Sequence, residues 1–277
     1  MKILLSDIYL RKSFDVINIL KQHYPPTTFI YTTKDLSLFG EIKAKLIYEA
    51  SEVKILRNDF NFKNDLQKIS SLYQDENIVF IPIEESTTLL FFEFLNEIGS
   101  AHNFKFTLPD FKTFSLSRNK KKLNLFCEQH QIPSPYFISK QTFDLRAFSF
   151  PIISKPKHGS GAKGISYIEN EEDIKDFNID FNNSFLQERL PNSKDIEAGF
   201  FLCNKGEVIS FYGHKRIRTW PSTGGVSVFS KCSNSIEIEK SGKLIIKKLD
   251  WSGLLMIEFL YDKRDDKYKL IEINPRL

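Results

Sequence analysis

Two glutamates and an asparagine near the C-terminus are spaced as a divalent cation would need them. Glu258 lies in the middle of an apolar run from Leu254 to Tyr261, and Glu272 and Asn274 close a second run that begins at Tyr268. Between the runs stands a charged turn, Asp262-Lys263-Arg264-Asp265-Asp266. Such a pair of runs reads as a β-hairpin. With the turn centred on Asp265, Glu258 falls opposite Glu272. Cross-strand neighbours have Cβ atoms roughly 4.5–5.5 Å apart, and like charges there destabilise a sheet. Asn274, two residues on, points to the same face. Two carboxylates and an amide oxygen on one patch call for a cation, and an all-oxygen set suits Mg²⁺ or Mn²⁺.

A second constellation is Lys155-Pro156-Lys157-His158-Gly159-Ser160-Gly161-Ala162-Lys163-Gly164. Its glycines spell G-x-G-x-x-G, but the residues that follow, Ile165-Ser166-Tyr167-Ile168, predict a strand, whereas a dinucleotide loop opens a helix. A Walker loop is excluded too, because Ile165 follows Gly164. What remains is a glycine-rich hairpin whose backbone N–H groups can approach phosphate oxygens. Lys155 on the preceding strand can reach the same phosphates. Taken alone, the segment reads as readily as an ordinary hairpin turn.

Three further segments carry polar groups. Ser117-Arg118-Asn119-Lys120-Lys121-Lys122 opens a helix, and basic residues there oppose the helix dipole unless an anion is bound. Lys121 and Lys122 read as solvated. Phe185-Leu186-Gln187-Glu188-Arg189-Leu190-Pro191 is an apolar strand ending in polar groups. Lys215-Arg216-Ile217-Arg218 puts Arg216 and Arg218 on one strand face, with Gly224 and Gly225 shortly after. Paired arginines suit carboxylate or phosphate recognition, or protect an edge strand. The five histidines have no metal spacing, and no Ser/His/Asp or Cys/His nucleophile arrangement occurs.

The elements that must position these groups fall into two patterns. Up to about residue 110, strands (2–6, 28–32, 53–56, 78–83) alternate with helices (13–23, 62–72, 87–98). This predicts α/β architecture, a Rossmann-like parallel sheet. Ser6-Asp7-Ile8-Tyr9 follows the first strand, so the dinucleotide fingerprint is missing. Beyond it, a helix over 116–130 leads into a strand-rich α+β region with one further helix over 237–248.

The bulk numbers agree with a soluble globular protein of two domains. Its 277 residues are 41% hydrophobic and 27% charged, with 26 phenylalanines to fill a core. A net charge of +4 is too small to argue for nucleic acid. Three scattered cysteines form no zinc or disulfide framework. The N-terminus is not a signal peptide, and no run approaches a membrane span. The expectation is a cytoplasmic protein with no membrane and no nucleic acid partner.

The order of these pieces resembles the ATP-grasp superfamily, particularly its carbamoyl-phosphate-synthase-like carboxylate–amine ligases. The resemblance runs from about Leu108 to Leu277. The closing Glu-Ile-Asn-Pro-Arg is its most specific part, and Lys120 stands thirteen residues before Pro133, as the family's first nucleotide-binding lysine stands before its Ile-Pro element. The resemblance implies a pre-ATP-grasp domain over 1–110 and an ATP-grasp domain over 111–277, made of two α+β lobes divided near residues 184–185.

It also implies residue roles. Lys120 and Lys155 bind ATP phosphates, and the loop of Gly159, Ser160, Gly161 and Gly164 closes over them. Glu188, Arg189 and Leu190 form the adenine hinge, with Asp195 on the ribose. Glu258, Glu272 and Asn274 hold Mg²⁺ (or Mn²⁺), and Arg276 acts with Lys155 on the γ-phosphate. Arg216, Arg218, Gly224 and Gly225 face the substrate. The implied reaction phosphorylates a small-molecule carboxylate and then couples it to an amine. A second reading is an ATP-binding regulatory or partner module without ligase turnover. Family members of this type continue past the closing motif, which implies a longer wall around the substrate. Self-association into a homo-oligomer is left open.

Overall fold

The computed structural model describes residues 1–33, 53–99, 102–138, 150–159, 163–175, 180–191, 196–220 and 225–276. These form two compact units: Met1–Thr107 joined by Arg276, and Leu108–Pro275.

In the first unit, strands β1 (Lys2–Leu5), β2 (Phe29–Thr33), β3 (Val53–Ile55), β4 (Ile78–Ile81) and β5 (Phe104–Lys105) form one sheet in the order β3-β2-β1-β4-β5. All its pairs are parallel. Helices α1 (Arg11–Lys21), α2 (Phe62–Leu72) and α3 (Glu85–Ile98) connect the strands. Ile3, Leu5, Ile17, Phe29 and Tyr31 share one buried cluster, and Phe80, Phe91, Phe94 and Phe104 pack together, mostly tilted or edge to face. Where a glycine-rich turn would stand, Asp7 holds a positive φ of 55°. Its carboxylate accepts hydrogen bonds from Ser6, Tyr9 and Thr87.

The second unit opens with two short helices where the sequence predicts one over 116–130. Helix α4 (Phe111–Arg118) stops and α5 (Lys120–Gln129) starts at Asn119, which has extended backbone (φ −96°, ψ 102°). The Asn119 side chain accepts from Lys122 N at 3.0 Å, a side-chain cap strong enough to restart the helix. An antiparallel sheet follows, ordered β6-β9-β7-β8, from β6 (Phe137–Ile138), β7 (Ile152–Pro156), β8 (Ser166–Ile168) and β9 (Ser184–Glu188). Strand β9 lies between β6 and β7, so the structure puts 184–188 in the first lobe, where the sequence assigns most of it to the second. A short helix, α6 (Glu171–Lys175), follows β8.

The last sheet is antiparallel and ordered β12-β11-β10-β13-β14. Its strands are β10 (Ile196–Asn204), β11 (Glu207–Trp220), β12 (Val226–Cys232), β13 (Gly253–Asp262) and β14 (Lys267–Asn274). Helix α7 (Ile236–Leu249), capped by Ser235, covers one face. It approaches the sheet closely because Gly242 has no side chain: a Cβ there would stand 2.1 Å from the Phe201 ring. Leu255, Ile257 and Phe259 fill this core face, which leaves Glu258 and its neighbours on the other. No described helix is long and apolar enough to cross a membrane.

Candidate nucleotide and metal site

The hairpin β13–β14 sets the acidic pair. Near its tip Asp262 faces Lys267 and Phe259 faces Leu270, and then the register shifts so that Glu258 faces Glu272. Ile271 is the extra residue of this β-bulge. Without the bulge Glu272 would fall on the core face, because strand side chains alternate. Asn274 reaches the same patch, its Nδ2 3.2 Å from Glu258 Oε1. The row continues across the sheet: Glu258 pairs with Ala198, and Ala198 with His214.

Strand β11 brings cationic and aromatic groups to that row. The ladder with β12 shifts between Arg216 and Arg218, and this breaks the alternation that would keep the two arginines equivalent. Arg216 turns inward, with Nη2 2.5 Å from Glu258 Oε1, while Arg218 stays exposed. His214 is 8% exposed and its ring stacks on Phe200 at 5.3 Å. Burial, then the charge of Arg216, lowers its pKa and keeps it neutral. Among the described residues, His214 Nδ1 and Arg216 Nε are buried and find no hydrogen-bond partner. His214 is one of the five histidines whose spacing suggests no metal site; the strand alternation through Arg216 is the signal that places it on this face.

The two lysines converge on the acidic pair. Lys120, the first residue of α5, places Nζ 3.1 Å from Glu272 Oε1 and donates to the Gly159 carbonyl at 2.5 Å. Its main-chain N–H donates to Lys157 O, so the helix start is also tied to the exit of β7. Lys155 on β7 is pushed down to about 8 by burial, with Lys120 adding to the shift and Glu272 and Glu258 opposing it. Gly159 and Gly164 take φ of 117° and 74°, which side chains rarely adopt. Ser160 and Gly161 lie outside the described residues, as do Asp195 and Gly224. Gly225 is buried.

The other expected site residues have contacts of their own. The Glu188 carboxylate accepts from Tyr136 N and from Arg264, and Lys269 lies 3.8 Å away. It thereby joins the end of β9 to the tip of the β13–β14 hairpin. Arg189 pairs with Glu169 and stacks on Tyr167, and Leu190 is buried. Arg276 belongs to the N-terminal unit, 3.9 Å from Glu84 and 3.6 Å from Glu85.

Residues 117–277 match the family model described as the ATP-grasp domain. The chain belongs to the ATP-grasp family. Among its relatives, acetyl-CoA carboxylase of Saccharomyces cerevisiae is 26% identical over 147 residues, 48% of this chain and 6% of that protein. Carbamoyl-phosphate synthase of Methanobrevibacter smithii is 22% identical over 175 residues, 58% of this chain and 46% of that one. This ATP-grasp chain thus spans less than half the length of either. A biotin carboxylase structure from Campylobacter jejuni superposes with a TM-score of 0.71 at 15% identity, over 100% of this chain and 65% of that one. At that identity the likeness speaks for the fold.

The donor chemistry of this ATP-grasp site fits a hard divalent ion. Among the described residues no three His, Cys, Asp or Glu gather as a metal group. Glu258 and Glu272 with the Asn274 amide would therefore hold the ion only in part. Mg²⁺ is commonly held this way, by one or two carboxylates plus substrate phosphates and water.

Proposed function

We propose that this ATP-grasp protein is an ATP-dependent ligase that activates a small-molecule carboxylate as an acyl phosphate for attack by an amine. One observation carries the reading: Glu258, Glu272, Asn274, Lys120, Lys155 and Arg216, drawn from four strands and a helix start, converge on one patch of alternating charge. A metal at the carboxylates would neutralise charge on the transferring phosphoryl group. Lys120 and Lys155 would hold the phosphates, with the loop of residues 159–164 above them. The backbone of Arg189 and Leu190 would meet the base, and Asp195 the ribose. Glu188 would act there only as an anchor.

Arg216, backed by His214, would lie where the terminal phosphate meets the substrate carboxylate, with Gly224 and Gly225 leaving room for the substrate. Phosphoryl transfer of this kind depends on positioning and charge neutralisation rather than on a protein nucleophile. We read the parallel five-stranded sheet of the first unit as Rossmann-like. The test is release of ADP and phosphate from Mg·ATP across a panel of carboxylates and amines. The expected result is turnover with a matched pair and its loss in Glu272→Ala. An alanine variant that turns over normally would remove the site assignment.

A further inference from the structure

Both carboxylates of the hairpin carry a cation of their own. Glu258 Oε1 receives Arg216 Nη2 at 2.5 Å and Asn274 Nδ2 at 3.2 Å. Glu272 Oε1 receives Lys120 Nζ at 3.1 Å, and the same ammonium is bonded to Gly159 O at the start of the glycine hairpin. The pair would otherwise be two facing anions, one of them 4% exposed, and an uncompensated buried charge is costly. A metal approaching Glu258 Oε1 meets two N–H donors rather than a free lone pair. An anion approaching Lys120 meets a side chain already engaged twice.

We propose that Arg216 and Lys120 are resident counter-ions that a divalent cation must displace from Glu258 and Glu272, so that metal and phosphate enter together. The proposal rests on the nucleotide-site reading above. A metal that takes the carboxylates strands two positive side chains, and the nucleotide phosphates give them a partner. Phosphate arriving alone would strip the carboxylates of their cover. Each ligand therefore strengthens the other by the same factor.

The test is Mn²⁺ binding to the full-length chain, read by the electron paramagnetic resonance signal of free Mn²⁺, with and without ATP. The wild type should bind Mn²⁺ weakly alone and about tenfold or more tightly with ATP. Arg216→Met should bind Mn²⁺ alone about tenfold more tightly than wild type, with the ATP enhancement reduced. Arg218→Met makes the same change of net charge on the exposed side of the strand and should leave Mn²⁺ affinity unchanged. Arg216→Gln, with circular dichroism, checks that folding is intact. Arg216→Met no tighter than wild type, or Arg218→Met equally tight, overturns the displacement while Mn·ATP binding stands. A wild-type chain that binds no Mn²⁺ even with ATP overturns the nucleotide site and this proposal with it.

Discussion

Burial carries Lys155 from 10.5 down to about 8, and the neighbouring charges of Lys120, Glu272 and Glu258 only adjust that shift. Its two consequences run in opposite directions with pH. The unfolded chain keeps this amine protonated up to about 10.5, so between about 8 and 10.5 it binds more protons than the folded chain, and stability rises with pH. Nucleotide affinity should do the reverse, because the charge facing the phosphates is lost as pH rises through about 8. Calorimetric titration should therefore show Mg·ATP binding weaken from about pH 7 to about pH 9. Lys155→Arg should flatten the decline, since a guanidinium stays charged. An equally steep decline in the arginine variant would assign the titration to another group. His214, buried and neutral, contributes no such charge change in this range.

The hairpin β13–β14 is held at its tip by an ion cluster as well as by its ladder. Asp262 is wholly buried, bonded by Arg264 through its main chain and guanidinium and by Lys269 at 2.6 Å. Arg264 first, against the opposing effect of burial, and then Lys269 hold its carboxyl far below the usual 3.8. Asp262→Asn should cost about 1–3 kcal/mol in urea denaturation. A folded pKa depressed in this way stabilises fully above about 3.8 and is lost as pH falls. The gap between variant and wild type should accordingly narrow in acid; a constant gap would deny the charge its part. The hairpin itself is legible from its alternating runs and charged turn; a turn centred on Asp265 also sets Glu258 opposite Glu272, but the structure centres the turn between Arg264 and Asp265 and reaches that pairing through the bulge at Ile271. The Glu188 anchor is not legible, because its partner Arg264 lies 76 residues away and no local pattern carries that contact. The inward turn of Arg216 depends on an irregular ladder, and the helix break at Asn119 is masked by the basic residues around it.

Across the molecule, the two compact units should respond unequally to nucleotide. At a concentration one hundred times its dissociation constant, a ligand adds about 2.7 kcal/mol to the state that binds it. Hydrogen exchange with Mg·ATP should slow within Leu108–Pro275, above all in β7, α5 and β13–β14. Met1–Thr107 should change less. Protection centred on the first unit would move the nucleotide away from the residues proposed here. The alternation of strands and helices over the first hundred residues reads well from sequence, since parallel sheets announce themselves in short apolar runs. The place of Arg276 does not, because it depends on which unit the last residues join.

The row Glu272–Glu258–Ala198–His214 has a further consequence, in the timing of folding. It crosses four strands: β13–β14 and β10–β11 are hairpins, but β10 meets β13 only after β11, β12 and α7 have been passed along the chain, and such a non-local pairing is slow to form. Until it closes, the acidic pair of the hairpin stands apart from Arg216 and His214. The acidic pair and its cationic neighbours should come together in the same step that completes the sheet.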